Sequence, residues 1–144
     1  MLHRPIRMIV QNQTILTIDA HATVDEAARL MKKHNVGAVM VVKDTHLIGI
    51  FTERDALFRV LASKRDPGAT HVSMVMTRNP RTIHPDKPFG NALFMMYEGG
   101  FRHVPVVENG RPLGMVSTRD AFGPELKEFG EEMLHREHIG EILG

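Results

Sequence analysis

The chain predicts an α+β fold, sandwich-like, in which two β-α-β-β-α repeats pack about a pseudo-twofold axis. Three observations lead there. The chain repeats itself at an offset of 65 residues, and each copy alternates short apolar runs with helical stripes. With 42% apolar residues in 144, there is material for one ordinary core or for two small halves that share one.

Slid against itself by 65 residues, Thr17–Leu57 aligns with Thr82–Phe122 without a gap, and 11 of the 41 pairs are identical, among them Gly49/Gly114, Arg54/Arg119 and Asp55/Asp120. Self-similarity of this kind makes each copy one supersecondary unit that covers its apolar face with the other. Each unit opens on a short strand candidate, ILTI (15–18) or PRTI (80–83). A helix follows. Its apolar positions Val24, Ala27, Ala28 and Met31 repeat as Phe89, Ala92, Leu93 and Met96, the i, i+3, i+4, i+7 spacing of a buried helical face. Thr23 with Glu26 reads as a capping box, and Pro88 stands in the place of Thr23 in the second copy, where its fixed φ opens a helix without that cap.

Two short Val- and Ile-rich runs come next, AVMVV (38–42) and LIGIF (47–51), echoed by VPVV (104–107) and LGMV (113–116). They read as antiparallel strand pairs, and Asn109-Gly110 between the second two is a hairpin signal. A further helix is predicted from Glu53 and again from Thr118. Repeat 1 is placed at 6–63, a linker at 64–70, repeat 2 at 71–122 and a helical tail at 123–144. Pro67 and Gly68 in SKRDPGAT (63–70) interrupt both periodicities, and the tail has helical spacing at Leu126, Phe129 and Met133.

Lys plus Arg number 18 against 17 Asp plus Glu, so there is no broad basic field for nucleic acid or an anionic membrane. Without cysteine, disulfides, thiolate zinc sites and thiol nucleophiles are excluded. No signal-peptide pattern or membrane-length apolar run is present, and a cytoplasmic protein is expected. His135 and His138 in HREH read as a polar helix face and no metal site is expected. No reaction-specific constellation of side chains is present, and the chain is not expected to be an enzyme.

The duplicated stretches GIFTERD (49–55) and GMVSTRD (114–120) carry the chemistry. A structural reading is sufficient for one copy: Thr52 or Ser117 caps a helix, and the acid three residues on reciprocates. Gly49 and Gly114 permit close backbone approach, and Arg54 and Arg119 lie in the same turn. A hydroxyl, a guanidinium and a helix start suit phosphate, while Asp55 and Asp120 suit paired ribose hydroxyls. Neither a P-loop nor a dinucleotide glycine fingerprint is present.

On these two G-x-x-[ST]-x-x-D stretches, on VGAVMVV (36–42) and FRHVPVV (101–107), and on VSMVMT (72–77), the chain resembles the cystathionine β-synthase (CBS) domain family, as a tandem pair or Bateman module spanning roughly residues 6–122. The resemblance implies a stand-alone regulatory sensor binding AMP, ADP, ATP or a related adenosyl compound, with NAD and S-adenosylmethionine as possible ligands, in clefts between the repeats. It implies ribose contacts at Asp55 and Asp120 and phosphate or ribose contacts at Thr52 and Ser117. It implies adenine-region and phosphate-region contacts at Thr17, Ile18, Gly37, Ala38, Thr82, Ile83, Arg102, His103 and Pro105. A homodimer and a regulated partner protein of unknown identity follow from the same resemblance. The rival reading is a dimerisation or protein-interaction module with empty or degenerate pockets. Because Arg102 and His103 replace Gly37 and Ala38, the two sites are expected to be unequal, the Asp120 site taking more phosphate charge.

Overall fold

The computed structural model describes residues 2–143, and side chains through residue 137. Its first half runs through α1 (Ile6–Val10), β1 (Thr17–Asp19), α2 (Val24–His34), β2 (Ala38–Lys43), β3 (His46–Thr52) and α3 (Glu53–Asp55), which continues as a π-helix over Ala56–Leu61. After a 3₁₀ turn at Val72–Met74 come β4 (Thr77–Arg78), α4 (Phe89–Gly99), β5 (His103–Glu108), β6 (Arg111–Ser117), a 3₁₀ turn at Thr118–Asp120 and α5 (Gly123–Leu143).

Apart from the first strand and the closing helix of the second copy, the predicted helices and strands of the duplicated frame form where local chemistry favours them. At α2, Thr23 Oγ1 accepts from Glu26 N and Glu26 Oε2 accepts from Thr23 N, so two helix-start donors are satisfied. α4 begins after Pro88 without a side-chain cap. Both helices stop on a left-handed residue at the same place in the repeat, Asn35 (φ 52°) and Gly100 (φ 69°), the residue types that tolerate it. The β5–β6 hairpin turns on Asn109 and Gly110, both at positive φ. The β2–β3 hairpin does the same on Asp44 and Thr45, at φ 50° and 67°, which its β-branched residue conceals from sequence.

The strands pair as β1-β2-β3-β4 in one sheet and β5-β6 in another. β1 runs parallel to β2, with Ile18 opposite Val41; the second copy keeps only a single parallel bridge, Ile83 to Val106, so PRTI does not form the predicted strand. Register slips once in each hairpin, at Val41/Val42 and at Val106/Val107. The closing helix also differs between copies. From Thr118 it lasts one 3₁₀ turn, because Ala121 is extended (ψ 132°) and α5 starts afresh.

Two cores result, and each borrows from the other half. Val24, Ala27, Met31, Val39, Val41 and Phe51 bury together with Val72, Val75 and Met76, which precede the second repeat's strands. Phe89, Ala92, Leu93, Met96, Val104, Val106 and Val116 bury with Leu2, Ile6 and Val10 from the N-terminal arm. The two motif glycines are needed where these exchanged segments cross. A Cβ on Gly49 would collide with Met76 Sδ and come within 2.9 Å of Thr77 O; one on Gly114 would lie 2.7 Å from Gln13 Oε1 and 2.8 Å from Val10 Cβ.

α5 is anchored by a charge as well as by apolar contact. Glu125, fully buried, takes Arg4 Nη2 at 2.7 Å and Phe122 N at 2.9 Å, and the Arg4 guanidinium lies 4.3 Å from the Phe122 ring centroid. Phe129 packs against the second core and Met133 is buried, as the spacing predicts, whereas Leu126 is 48% exposed. His138 of the HREH pair lies outside the described side chains. Among the described residues no group of three metal-capable side chains gathers, and no helix is long and apolar enough to cross a membrane.

Candidate functional site

Two clefts open between the halves. The larger, about 660 Å³, is lined by Thr52, Arg54 and Asp55 together with Thr77, Asn79, Pro80, Arg81 and the stretch from Gly100 to His103. The smaller, about 360 Å³, is lined by Ser117, Arg119 and Asp120 with Gln13, Thr14, Leu16 and the stretch from Val36 to Ala38. The linings correspond at the repeat offset of 65: Thr14 with Asn79, Leu16 with Arg81, Gly37 with Arg102. Each cleft therefore joins the motif of one repeat to the first-strand approach and middle-strand entrance of the other.

In the first cleft Asp55 is 7% exposed and closely held. Its Oδ2 accepts from Thr52 N at 3.0 Å and from Thr52 Oγ1 at 3.1 Å, and Thr52 Oγ1 accepts from Asp55 N at 3.2 Å. Oδ1 has looser neighbours, Thr77 Oγ1 at 3.4 Å and Arg59 Nε at 3.5 Å, so it is the oxygen best placed to take a further donor. Glu53 N donates to Gly37 O at 2.9 Å. Two of the helix-start N–H groups are thus already used, and the guanidinium groups are the better anion partners in this cleft.

The second motif is looser. Asp120 is half-buried; its Oδ2 accepts from Ser117 N at 2.7 Å, and Ser117 Oγ accepts from Arg119 N at 3.2 Å. Arg4 Nη2 donates to Asp120 O at 2.8 Å, so the N-terminal arm holds the turn from behind. Gln13 clasps the preceding strand through both ends of its amide, to Met115 O and from Met115 N.

Of the side chains singled out by sequence, Thr52, Arg54, Asp55, Ser117, Arg119, Asp120, Gly37, Ala38, Arg102 and His103 line the clefts. Thr17, Ile18 and Pro105 line neither; Thr17 and Ile18 pair with Met40 and Val41 inside the first sheet, and Pro105 with Met115 in the second. Thr82 and Ile83 border a separate, more open hollow with His84 and Lys87. Arg102 and His103 do not belong to the Asp120 motif alone: with Gly37 and Glu53 they line both clefts. Burial holds the His103 imidazole below the ordinary histidine range, opposed by Glu53 and aided by Arg119 and Arg102. His103 is therefore a poor cation near neutrality.

Arg59, Arg81, Asn79 and Phe101 were not expected in the site. Arg81 had a signal, since it sits three residues after Arg78 in the first-strand approach of the second repeat, at the position equivalent to Leu16. The first cleft thereby carries Arg54, Arg59, Arg81 and Arg102, against Arg102 and Arg119 in the second.

Duplicated α+β units with a pair of quasi-equivalent clefts between them define a tandem-repeat module. The chain belongs to the CBS domain family, whose model matches residues 7–62 and 72–123. It is 42% identical over 102 residues to CBS domain-containing protein CBSCBSPB2 of Arabidopsis thaliana, covering 70% of this chain and 19% of that protein. It is 37% identical over 106 residues to CBS domain-containing protein YhcV of Bacillus subtilis, covering 74% of this chain and 75% of that one. Both names state domain content and no enzyme activity. Among solved structures, CBS domain protein PAE2072 from Pyrobaculum aerophilum complexed with AMP shares the fold, with TM-score 0.78, 23% identity, and coverage of 88% of this chain and 98% of that one.

Proposed function

We propose that the chain is a non-catalytic regulatory module that binds an adenosine-containing, phosphate-bearing ligand in its clefts. The observation that carries this reading is the first cleft: a buried carboxylate with one loosely held oxygen faces a space of about 660 Å³ that also carries Arg54, Arg59, Arg81 and Arg102. That volume is in the range of small-molecule sites. Asp55 Oδ1 suits a ribose hydroxyl, the guanidinium groups suit phosphate, and Ile50, Pro80 and Phe101 give an apolar wall for a base. The occurrence of AMP in PAE2072, which shares the fold, supports the choice of nucleotide.

On this geometry the Asp55 cleft, not the Asp120 cleft, takes the more highly charged ligand, because the added cations line it and His103 is held neutral. Calorimetric titration with AMP, ADP, ATP, NAD and S-adenosylmethionine tests it. Saturable binding of at least one adenine nucleotide is expected, weakened about tenfold or more by Asp55→Asn through loss of a charge-assisted hydrogen bond. No binding by any of the five would remove the reading. A ligand can act as a signal here only through unequal affinity for two arrangements of the repeats.

Self-association is a second element of the proposal, favoured by one observation. Leu57 and Leu61 stand four residues apart on the π-helix, Leu61 being 71% exposed, and leave an apolar edge in water. A homodimer through this edge is expected to give way to monomer in Leu61→Asp by analytical ultracentrifugation.

A further inference from the structure

Arg102, His103, Gly37 and Glu53 line both clefts, so the two cavities share a wall of two side chains with opposite charge, one imidazole and a glycine. The glycine is crowded: a Cβ on Gly37 would come within 3.2 Å of Glu53 Oε1, which places the Glu53 carboxylate directly against the middle-strand entrance of the first repeat. Arg102 is the matching residue of the second repeat, and among the described residues it is the one guanidinium common to both linings.

We infer that the two clefts are electrostatically coupled through this wall, Arg102 serving a phosphate in only one cleft at a time, so that two anionic ligands bind antagonistically whereas two uncharged ones do not. The inference rests on the nucleotide reading above and specifies its regulation.

The asymmetry of the cations makes the coupling matter. Among the described residues the Asp55 cleft has Arg54, Arg59 and Arg81 besides the shared residue, and the Asp120 cleft has only Arg119. A phosphate in the larger cleft that engages Arg102 leaves the smaller one with a single guanidinium and with Glu53 no longer offset. The other charges facing the wall do not relieve this. Glu53 and Asp120 favour a proton on His103, but burial, Arg119 and Arg102 oppose it, so the imidazole does not stand in for the missing cation near neutral pH. An arriving anion raises that proton affinity, and the antagonism therefore weakens on acidification.

The test compares the intact protein with each cleft measured alone. Calorimetry at low salt gives the stepwise association constants for AMP and for adenosine in the unmodified chain, in Asp55→Asn and in Asp120→Asn. For AMP, the product of the two intact constants is expected to fall about fivefold or more below the product of the isolated ones, the scale of ordinary site coupling. For adenosine the two products should agree, and in Arg102→Gln the AMP deficit should shrink toward the adenosine value. If buried Asp55→Asn does not fold, Arg81→Glu, on the surface of the same cleft, replaces it as the variant that rejects phosphate. Equal products for AMP, or a deficit untouched by Arg102→Gln, would overturn the coupling while leaving the proposed function standing. An absence of AMP and adenosine binding would overturn the coupling as stated, and an absence of binding by all five ligands named above would overturn the proposed function as well.

Discussion

The Asp55 and Asp120 turns are spelled almost alike and are built differently. In the first, the carboxylate is buried, both oxygens have neighbours, and the following residues continue as helix to Leu61. In the second, the carboxylate is half-buried, the turn stops after Asp120, and the support comes from outside the repeat, through Arg4. The difference teaches that a duplicated motif fixes its local cap and leaves the wider environment to whatever segment packs behind it.

The largest effect should come from removing that outside support. Arg4→Ala leaves Glu125 wholly buried without its ion-pair partner, and a loss of about 3 kcal/mol in urea unfolding is expected. An unchanged midpoint would show that the second turn stands without the arm. Next come the crossing glycines. Gly49→Ala meets a backbone carbonyl and Gly114→Ala meets Val10 and a flexible Gln13, so costs of about 1 to 3 kcal/mol are expected, the former the greater, by the same measurement.

The caps should separate the copies more finely. Thr52→Ala removes the acceptor for Asp55 N and a donor to its carboxylate, about 1 kcal/mol; Ser117→Ala, which caps one short turn, should cost less. The smallest effect is a pH slope. His103 is held below the ordinary value of 6.5, so the unfolded chain binds more protons as acid is added, and stability that is complete above about pH 6.5 declines below it until the folded imidazole also protonates. Thermal melts of His103→Gln should lack that part of the slope.

Much of this was legible in the residues. The offset of 65 located equivalent positions, the helical stripe at Val24, Ala27 and Met31 located a core face, and the Thr52/Asp55 and Ser117/Asp120 spacing located both cleft motifs. Equivalence is not adjacency, however. An internal repeat states that Arg102 corresponds to Gly37, and only packing shows that Arg102 faces the Asp55 motif as well as Asp120. The same reason hid the exchanged arms: Ile6 and Val72 are apolar residues in short segments, and nothing local says which half they cover. In α5 the periodicity chose Leu126, but Arg4 drew the neighbouring Glu125 inward instead.

The exchanged arms also set an order on folding. Gln13 finds its hydrogen-bonding partner 102 residues away at Met115, and Ile6 and Val10 wait for strands equally distant, whereas the helix and hairpin of either repeat close over short stretches of chain. Closing so long a loop costs entropy before any contact repays it. The arm is therefore expected to settle last, and the apolar side of the second core that it covers would stay open to another copy of the chain until then.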